Sequence, residues 1–238
     1  MDIKLSKRMQ AVADMVKEKK VVDIGCDHAF VSIYLAQKFG TERVIAMDVK
    51  TGPVEIAKAN IANYMLADKI EVRMSNGFDK LSVGEADVAV IAGMGGYLMI
   101  DILEAGKEHL EAGINLVLQP QSDIQQVRQY LDYVGYIIEA EDMLIEDGKF
   151  YTIIRAVPRG ESTVTYSKDD YIYGPVLLEK RHPVLKSYLE IFRDKNLELW
   201  DKLRATDSEK SRERMMQLID ELDYNKDIQQ RYFGEGVW

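Results

Sequence analysis

Short apolar runs alternate with helix-period stretches between residues 5 and 134, and this alternation constrains the fold more than any other feature of the chain. A strand that leads into a helix cannot return by a hairpin, so successive strands pair in parallel with helices on both faces. The first helix is expected over 5–17, where Leu5, Met9, Val12 and Val16 recur at helical spacing. Lys20-Val21-Val22-Asp23-Ile24-Gly25 then reads as a buried parallel strand ending in glycine, and strands are expected likewise over 43–48, 70–74, 86–92 and 114–119. Helices are predicted over 31–39 and 53–66, from 96, and over 123–134, with Pro53 in a first turn where its missing N–H costs nothing. Beyond them, 136–144 and 149–157 are β-rich runs joined by Glu146-Asp147-Gly148, a hairpin signal. The count is seven strands with the last antiparallel, against six parallel strands in a nicotinamide-binding sheet.

After Arg159-Gly160 the composition shifts, and 162–167 reads as a linker. Leu185, Tyr188, Leu189, Phe192, Leu199 and Leu203 recur at helical spacing, as do Met215, Leu218, Ile219 and Leu222. Ala205-Thr206-Asp207-Ser208 between them reads as a turn with an N-cap. Two domains are therefore expected: 1–160, an α/β catalytic domain, and 168–238, an antiparallel helical hairpin of coiled-coil-like character.

The chemistry gathers where the strands end. Asp23-Ile24-Gly25-Cys26-Asp27-His28-Ala29 sits at the strand–helix junction where α/β sheets bind ligands, and Gly25 permits a tight turn. The dinucleotide fingerprint G-x-G-x-x-G is incomplete, because Asp27 stands in place of the second glycine. A pyrophosphate on that helix N-terminus would meet a carboxylate and be repelled, whereas a cationic sulfonium would be attracted. The pocket therefore suits S-adenosylmethionine. Asp48, with Val49 after it, ends the second strand and suits the ribose hydroxyls of an adenosyl cofactor; Asn76 and Gly77 follow the third strand and suit its adenine edge. Gly93, Met94, Gly95 and Gly96 close the fourth strand, where three glycines in four residues imply that something approaches the backbone closely, here the methionyl end or the acceptor. Gln119, Pro120 and Gln121 end the fifth strand, with two amides directed into the same crevice as acceptor contacts. The fold class is thus a Rossmann-like seven-stranded class I methyltransferase sheet carrying a helical hairpin.

The formal net charge of −9 argues against a general polyanion binder, although Lys4, Lys7 and Arg8 form one of several small basic groups. No apolar run is long enough to span a bilayer, and the first residues lack a secretory pattern. With Cys26 as the single cysteine, a cytoplasmic chain is expected. Cys26 and His28 lack a second ligand cluster, and His109 and His182 lack neighbours in sequence, so no metal is expected. A triphosphate-binding loop and a nucleophile elbow are both missing. On the residues alone, three rival classes stay open: a methyltransferase with a protein or small-molecule acceptor, a NAD(P)-binding oxidoreductase, and a non-catalytic RNA-binding module.

The motifs LSKRM, DIGCDHAF, VIAMDV, AGMGG and LVLQPQ, with the helical hairpin, resemble those of the bacterial tRNA adenine-22 N1-methyltransferases, the TrmK family, over nearly the whole chain. The resemblance implies methyl transfer from S-adenosylmethionine to N1 of an adenine in the D-arm region of tRNA. It implies a Rossmann-like domain for the cofactor and a hairpin that helps to hold the RNA. Asp27 is then the first catalytic candidate, with His28 beside it and Tyr97 as a stacking partner for the base. Lys7 and Arg8 join Gln119, Pro120 and Gln121 as substrate contacts, and the chain is expected to be a monomer or weak homodimer.

Overall fold

A computed structural model describes residues 2–38, 40–206 and 208–234. The chain divides into two compact units, one ending at Ile172 and the other starting at Tyr173. The first holds a seven-stranded sheet in the order β3-β2-β1-β4-β5-β7-β6, formed by β1 (Lys20–Ile24), β2 (Arg43–Asp48), β3 (Ile70–Met74), β4 (Val88–Met94), β5 (Asn115–Pro120), β6 (Tyr136–Glu146) and β7 (Lys149–Pro158). Strands β1 to β5 pair in parallel, and β7 runs antiparallel to both β5 and β6. The chain steps outward from β1 to β3 and then returns to lay β4 beside β1. The strand order therefore reverses at β1, and a crevice opens there at the carboxyl ends.

Burial explains the continuous apolar runs. Val21, Val22 and Ile24 of β1 and Val44, Ile45, Ala46 and Met47 of β2 are all buried, because helices cover both faces. The connecting helices are α2 (Phe30–Lys38), α3 (Thr51–Asn63), α4 (Gly96–Ala105), α5 (Lys107–Glu111) and α6 (Ile124–Tyr133). Phe39, the predicted end of α2, lies outside the described residues. The first helix, α1 (Lys7–Asp14), is shorter than its apolar stripe suggested: Ser6 caps it by accepting the Met9 N–H, leaving Leu5 outside. Val12 and Val16 are buried, and Leu5 and Met9 lie against the same core.

The hairpin closes through Asp147 and Gly148, both at positive φ, as a two-residue turn of strands with this twist requires. Its placement adds something the periodicity did not carry, since β7 inserts between β5 and β6. A register shift between Ile138 and Ala140 sets Glu139 out of the β6 ladder, where it accepts hydrogen bonds from Arg155 (2.5 Å) and Lys17 (2.8 Å). On the far side of β6, Arg128 and Glu141 form a buried ion pair at 2.9 Å.

The stretch expected to be a linker is tied into the first unit. Tyr166 Oη accepts the Ile138 N–H at 2.8 Å, and Arg128 Nη1 donates to the carbonyls of Tyr171 and Ile172 at 3.0 Å. The unit boundary consequently falls past the predicted start of the hairpin domain, within the short helix α7 (Lys168–Tyr173).

The second unit contains α8 (Pro175–Glu179), α9 (Pro183–Arg204) and α10 (Glu209–Ile228), with one π-helical turn at Gln229–Phe233. Asn225 donates to the Leu189 carbonyl and Asn196 to Glu221, so α9 and α10 run antiparallel. Leu185, Leu189 and Leu218 are buried along the seam, whereas Ile219, expected there, is half exposed on the outer side. Ser208 caps α10 through the Ser211 N–H; Asp207 of the predicted turn lies outside the described residues.

Candidate functional site

The loop after β1 builds the crevice. Gly25, at φ 76°, turns the chain so that its own N–H and that of Cys26 both donate to the Met47 carbonyl, at 2.8 and 2.9 Å. Asp27 (φ 49°) and Ala29 (φ 59°) are also left-handed, which leads the chain into α2 and leaves the Asp27 side chain largely exposed. Asn60 of α3 anchors the loop by donating to the His28 carbonyl at 3.0 Å. The His28 ring stacks on Phe30 with centroids 5.6 Å apart and sits 3.5 Å from Asp27 Oδ2.

Asp48, at the end of β2, accepts backbone N–H groups on both oxygens: Asp27 on Oδ2 at 3.2 Å and Lys50 on Oδ1 at 3.0 Å. Asp23 lies deeper and accepts the Ser32 hydroxyl at 2.6 Å. Burial pushes its carboxyl up from the ordinary 3.8 to about 6, the Ser32 hydrogen bonds oppose the rise, and the Asp48 charge adds to it. The Cys26 thiol is raised further still, by burial and by Asp23, Asp48 and Asp27, which keeps it protonated and unsuited to nucleophilic attack.

The opposite wall comes from β4 and β5. Strand β4 continues to Met94, past its predicted end at 92, and its register against β5 shifts between Ala92 and Met94, where Gly93 takes φ 79°. The Met94 methyl lies 2.1 Å from where a Gly25 Cβ would stand, so a side chain at 25 would displace it.

These elements enclose a cavity of about 350 Å³ lined by Asp23, Gly25, Cys26, Asp27, Asp48, Gly93, Met94, Gln121 and Arg8, together with Met9, Val31 and Ala92. The first nine were candidates from sequence. The last three occupy positions that periodicity assigns only to helix and strand, as does Ser32, although a serine in the helix turn after a strand-end acid is a usable signal.

Other predicted residues lie outside this lining. Val49 and Asn76 are exposed, and Gly77 sits in the turn that the Ser75 N–H ties to the Asp48 carbonyl at 2.9 Å. Tyr97 is exposed in the first turn of α4. Lys7 lines a separate groove with Gln10, Asp14 and Asp142. For Gly96, what approaches the backbone is the chain itself: a Cβ there would stand 2.5 Å from the Ser122 carbonyl oxygen and 2.8 Å from that of Asp123. Gly95 likewise faces Ser122 Oγ. Gln119 departs from its expectation too. It is fully buried, with both amide atoms engaged inside the protein, and of the two amides only Gln121 lines the cavity.

Three carboxylates at a switch-point cavity repel diphosphates and favour a ligand with positive charge. Among the described residues no group of His, Cys, Asp and Glu side chains is arranged to hold a metal ion, and no helix is long and apolar enough to cross a membrane.

The profile of one protein family, described as tRNA (adenine(22)-N(1))-methyltransferase, matches residues 21–227. A curated relative with that description, from Bacillus subtilis (strain 168), is 32% identical over 233 residues, 95% of this chain and 98% of its own. The crystal structure of the B. subtilis M1A22 tRNA methyltransferase TrmK is 30% identical, covers 95% of this chain and 99% of its own, and superposes with a TM-score of 0.79. Streptococcus pneumoniae Sp1610, solved in complex with S-adenosyl-L-methionine, is 30% identical over 94% of this chain and 99% of its own, with a TM-score of 0.80.

Proposed function

Because the chain belongs to the tRNA (adenine(22)-N(1))-methyltransferase family, we propose that it moves the methyl group of S-adenosylmethionine to N1 of adenine 22 in tRNA. The observation that carries this reading within the molecule is the set of Asp23, Asp27 and Asp48 around the cavity where β1 and β4 part. A sulfonium gains from that field, and the residues present fit the cofactor.

When bound, S-adenosylmethionine supplies an electrophilic methyl group on a positively charged sulfur. Asp48 holds the ribose hydroxyls with the lone pairs that its two backbone donors leave free. Gly25, Cys26 and Gly93 offer backbone and a neutral thiol to the methionyl end, Met94 closes the wall behind them, and Gly95 and Gly96 seat α4 beside it. Val49, Asn76 and Gly77 border the adenine of the cofactor. Asp23 adds negative charge from below.

Adenine N1 carries an in-plane lone pair, so no side chain has to remove a proton before attack. Orientation and exclusion of water supply much of the acceleration. Asp27 accepts a hydrogen bond from the exocyclic amine of the acceptor base, which raises the nucleophilicity of N1 and offsets its developing charge. His28 steadies Asp27, and Tyr97 offers its exposed ring for stacking. N1 lies on the pairing edge, so the base enters unpaired or flipped. Pro120 and Gln121 face the acceptor, Lys7 meets the RNA outside the cavity, and the α9–α10 pair supplies further RNA-contacting surface. The chain works in the cytoplasm as a monomer or weak homodimer.

Incubation with labelled S-adenosylmethionine and unmodified tRNA tests the reading. Label is expected in RNA, with a reverse-transcription stop at position 22 that disappears when the adenine there is replaced by guanine. An unlabelled RNA together with tight NADH binding would sink it.

A further inference from the structure

Facing the three carboxylates, the one cation among the lining residues is Arg8. Its Nη1 donates to Gln119 Oε1 at 2.7 Å, and its guanidinium carbon lies 5.2 Å from the centroid of the Tyr151 ring. The Arg8 backbone N–H donates to Glu146 Oε1 at 3.3 Å, which seats the start of α1 over the sheet. Gln119 is fully buried, and its Nε2 donates to the Pro120 carbonyl at 3.0 Å. That second bond fixes the amide: turned over, its oxygen would face a carbonyl and its N–H groups a guanidinium, neither of which can answer.

The guanidinium carries five N–H donors, and among the described residues no carboxylate forms an ion pair with it. Bare backbone lies in front of it. A Cβ at Gly93 would stand 3.7 Å from Arg8 Nη1 and 3.8 Å from Gln121 Nε2, so the guanidinium and that amide converge on the same bare backbone.

We propose that Arg8 and Gln121 form an oxyanion cradle over Gly93 and that Gln119 is the positioning residue that presents Arg8 to it. The ligand is a single carboxylate or phosphate group, carried either by the amino-acid end of the cofactor or by the acceptor nucleotide. In a cavity edged by Asp23, Asp27 and Asp48 such a group is repelled unless a cation answers it, and Arg8 is that cation. The proposal rests on the methyltransferase reading above.

Three ligands test it on the full chain: S-adenosylhomocysteine, methylthioadenosine (the same adenosyl group without the carboxylate), and tRNA at two salt concentrations. If the cofactor carries the anion, Arg8→Gln weakens S-adenosylhomocysteine binding about tenfold or more and leaves methylthioadenosine within about twofold. If the acceptor carries it, both small ligands bind as before, KM for tRNA rises, and the salt slope shrinks by about one. Arg8→Lys, which keeps the charge without the fork, recovers part of either loss.

Gln119→Leu removes the acceptor that presents Arg8 and is expected to reproduce the same selective loss, S-adenosylhomocysteine weakened and methylthioadenosine unchanged. Methylthioadenosine binding by each variant reports that the fold is intact. Equal losses of S-adenosylhomocysteine and methylthioadenosine, or no change in any of the three, overturn the cradle. A Gln119→Leu protein that binds as the unmodified one does overturns the positioning role. An unmodified protein that binds S-adenosylhomocysteine yet methylates no RNA fails the underlying reading instead, so the two failures are distinct.

Discussion

Asp48 Oδ2 accepts the backbone N–H of Asp27 at 3.2 Å, so the acid that ends the second strand also holds the loop that follows the first. Asp48→Ala therefore removes a ribose partner and loosens the left-handed turn at Asp27 together. The affinity for S-adenosylhomocysteine is expected to fall about tenfold to a hundredfold, as for lost hydrogen bonds to a charged group. Asp48→Asn keeps one acceptor oxygen and should lose less. Calorimetric titration measures both, and equal affinity in all three proteins would remove Asp48 from the cofactor site.

Asp27 separates binding from turnover. Its side chain is largely exposed at the mouth of the cavity, and its backbone, at φ 49°, takes a conformation that asparagine tolerates well. Asp27→Asn thus retains the turn while removing the charge. The expected result is a fall in kcat of about a hundredfold with cofactor affinity changed little. Single-turnover methylation of tRNA is the measurement, and an unchanged rate would show that Asp27 only shapes the loop.

Asp23 makes the ligand-free protein sensitive to pH in a direction opposite to most carboxylates. Folded, the group titrates near 6 because it is buried; unfolded, it titrates near its ordinary 3.8. Between these values the folded state binds more protons than the unfolded state, so stability from this group falls as pH rises through the window and stays lower above it. Asp23→Asn removes the cost and can still accept the Ser32 hydroxyl. At about pH 7 the variant should gain up to about 3 kcal/mol of stability, and near pH 4 the gain should vanish. Urea unfolding at several pH values checks the slope, and a variant less stable at neutral pH would contradict it.

How far the sequence reached follows from the range of the interactions involved. Strand β2 lies on its predicted residues because an apolar run buried on both faces is a local signal, and β3, an edge strand with Ile70 buried, lies on its own because its alternation of apolar and charged residues is local too. The glycine loop after the fourth strand mixes two causes, one of them beyond the reach of a local pattern: Gly93 and Met94 line the cavity, whereas Gly95 and Gly96 face the Ser122–Asp123 segment. Gly93 is the bulged residue between the Ala92 and Met94 pairings with β5, and Gly96 is required by the Ser122–Asp123 backbone, a contact from beyond the next strand. Gln119 and Gln121 read alike in sequence. Only the fold shows one amide consumed by Arg8 and Pro120 and the other lining the cavity. The insertion of β7 between β5 and β6 is likewise a matter of pairing, about which alternation of side chains says nothing.

The helical unit gives the last prediction. The first unit keeps Tyr166, Tyr171 and Ile172 in hydrogen bonds with Ile138, Asp132 and Arg128, so a truncation must follow Ile172 rather than fall in the expected linker. Cutting at 160 or 168 would strip carbonyl partners from Arg128, a residue buried beside Glu141, and leave its charge poorly satisfied. A protein ending at Ile172 is expected to bind S-adenosylhomocysteine within about threefold of the full chain, because every lining residue of the cavity precedes the cut. Its affinity for tRNA should drop about tenfold or more if α9 and α10 contribute RNA contacts. Filter binding at fixed salt decides: tRNA affinity equal to that of the full chain would free the helical unit of any role in holding RNA.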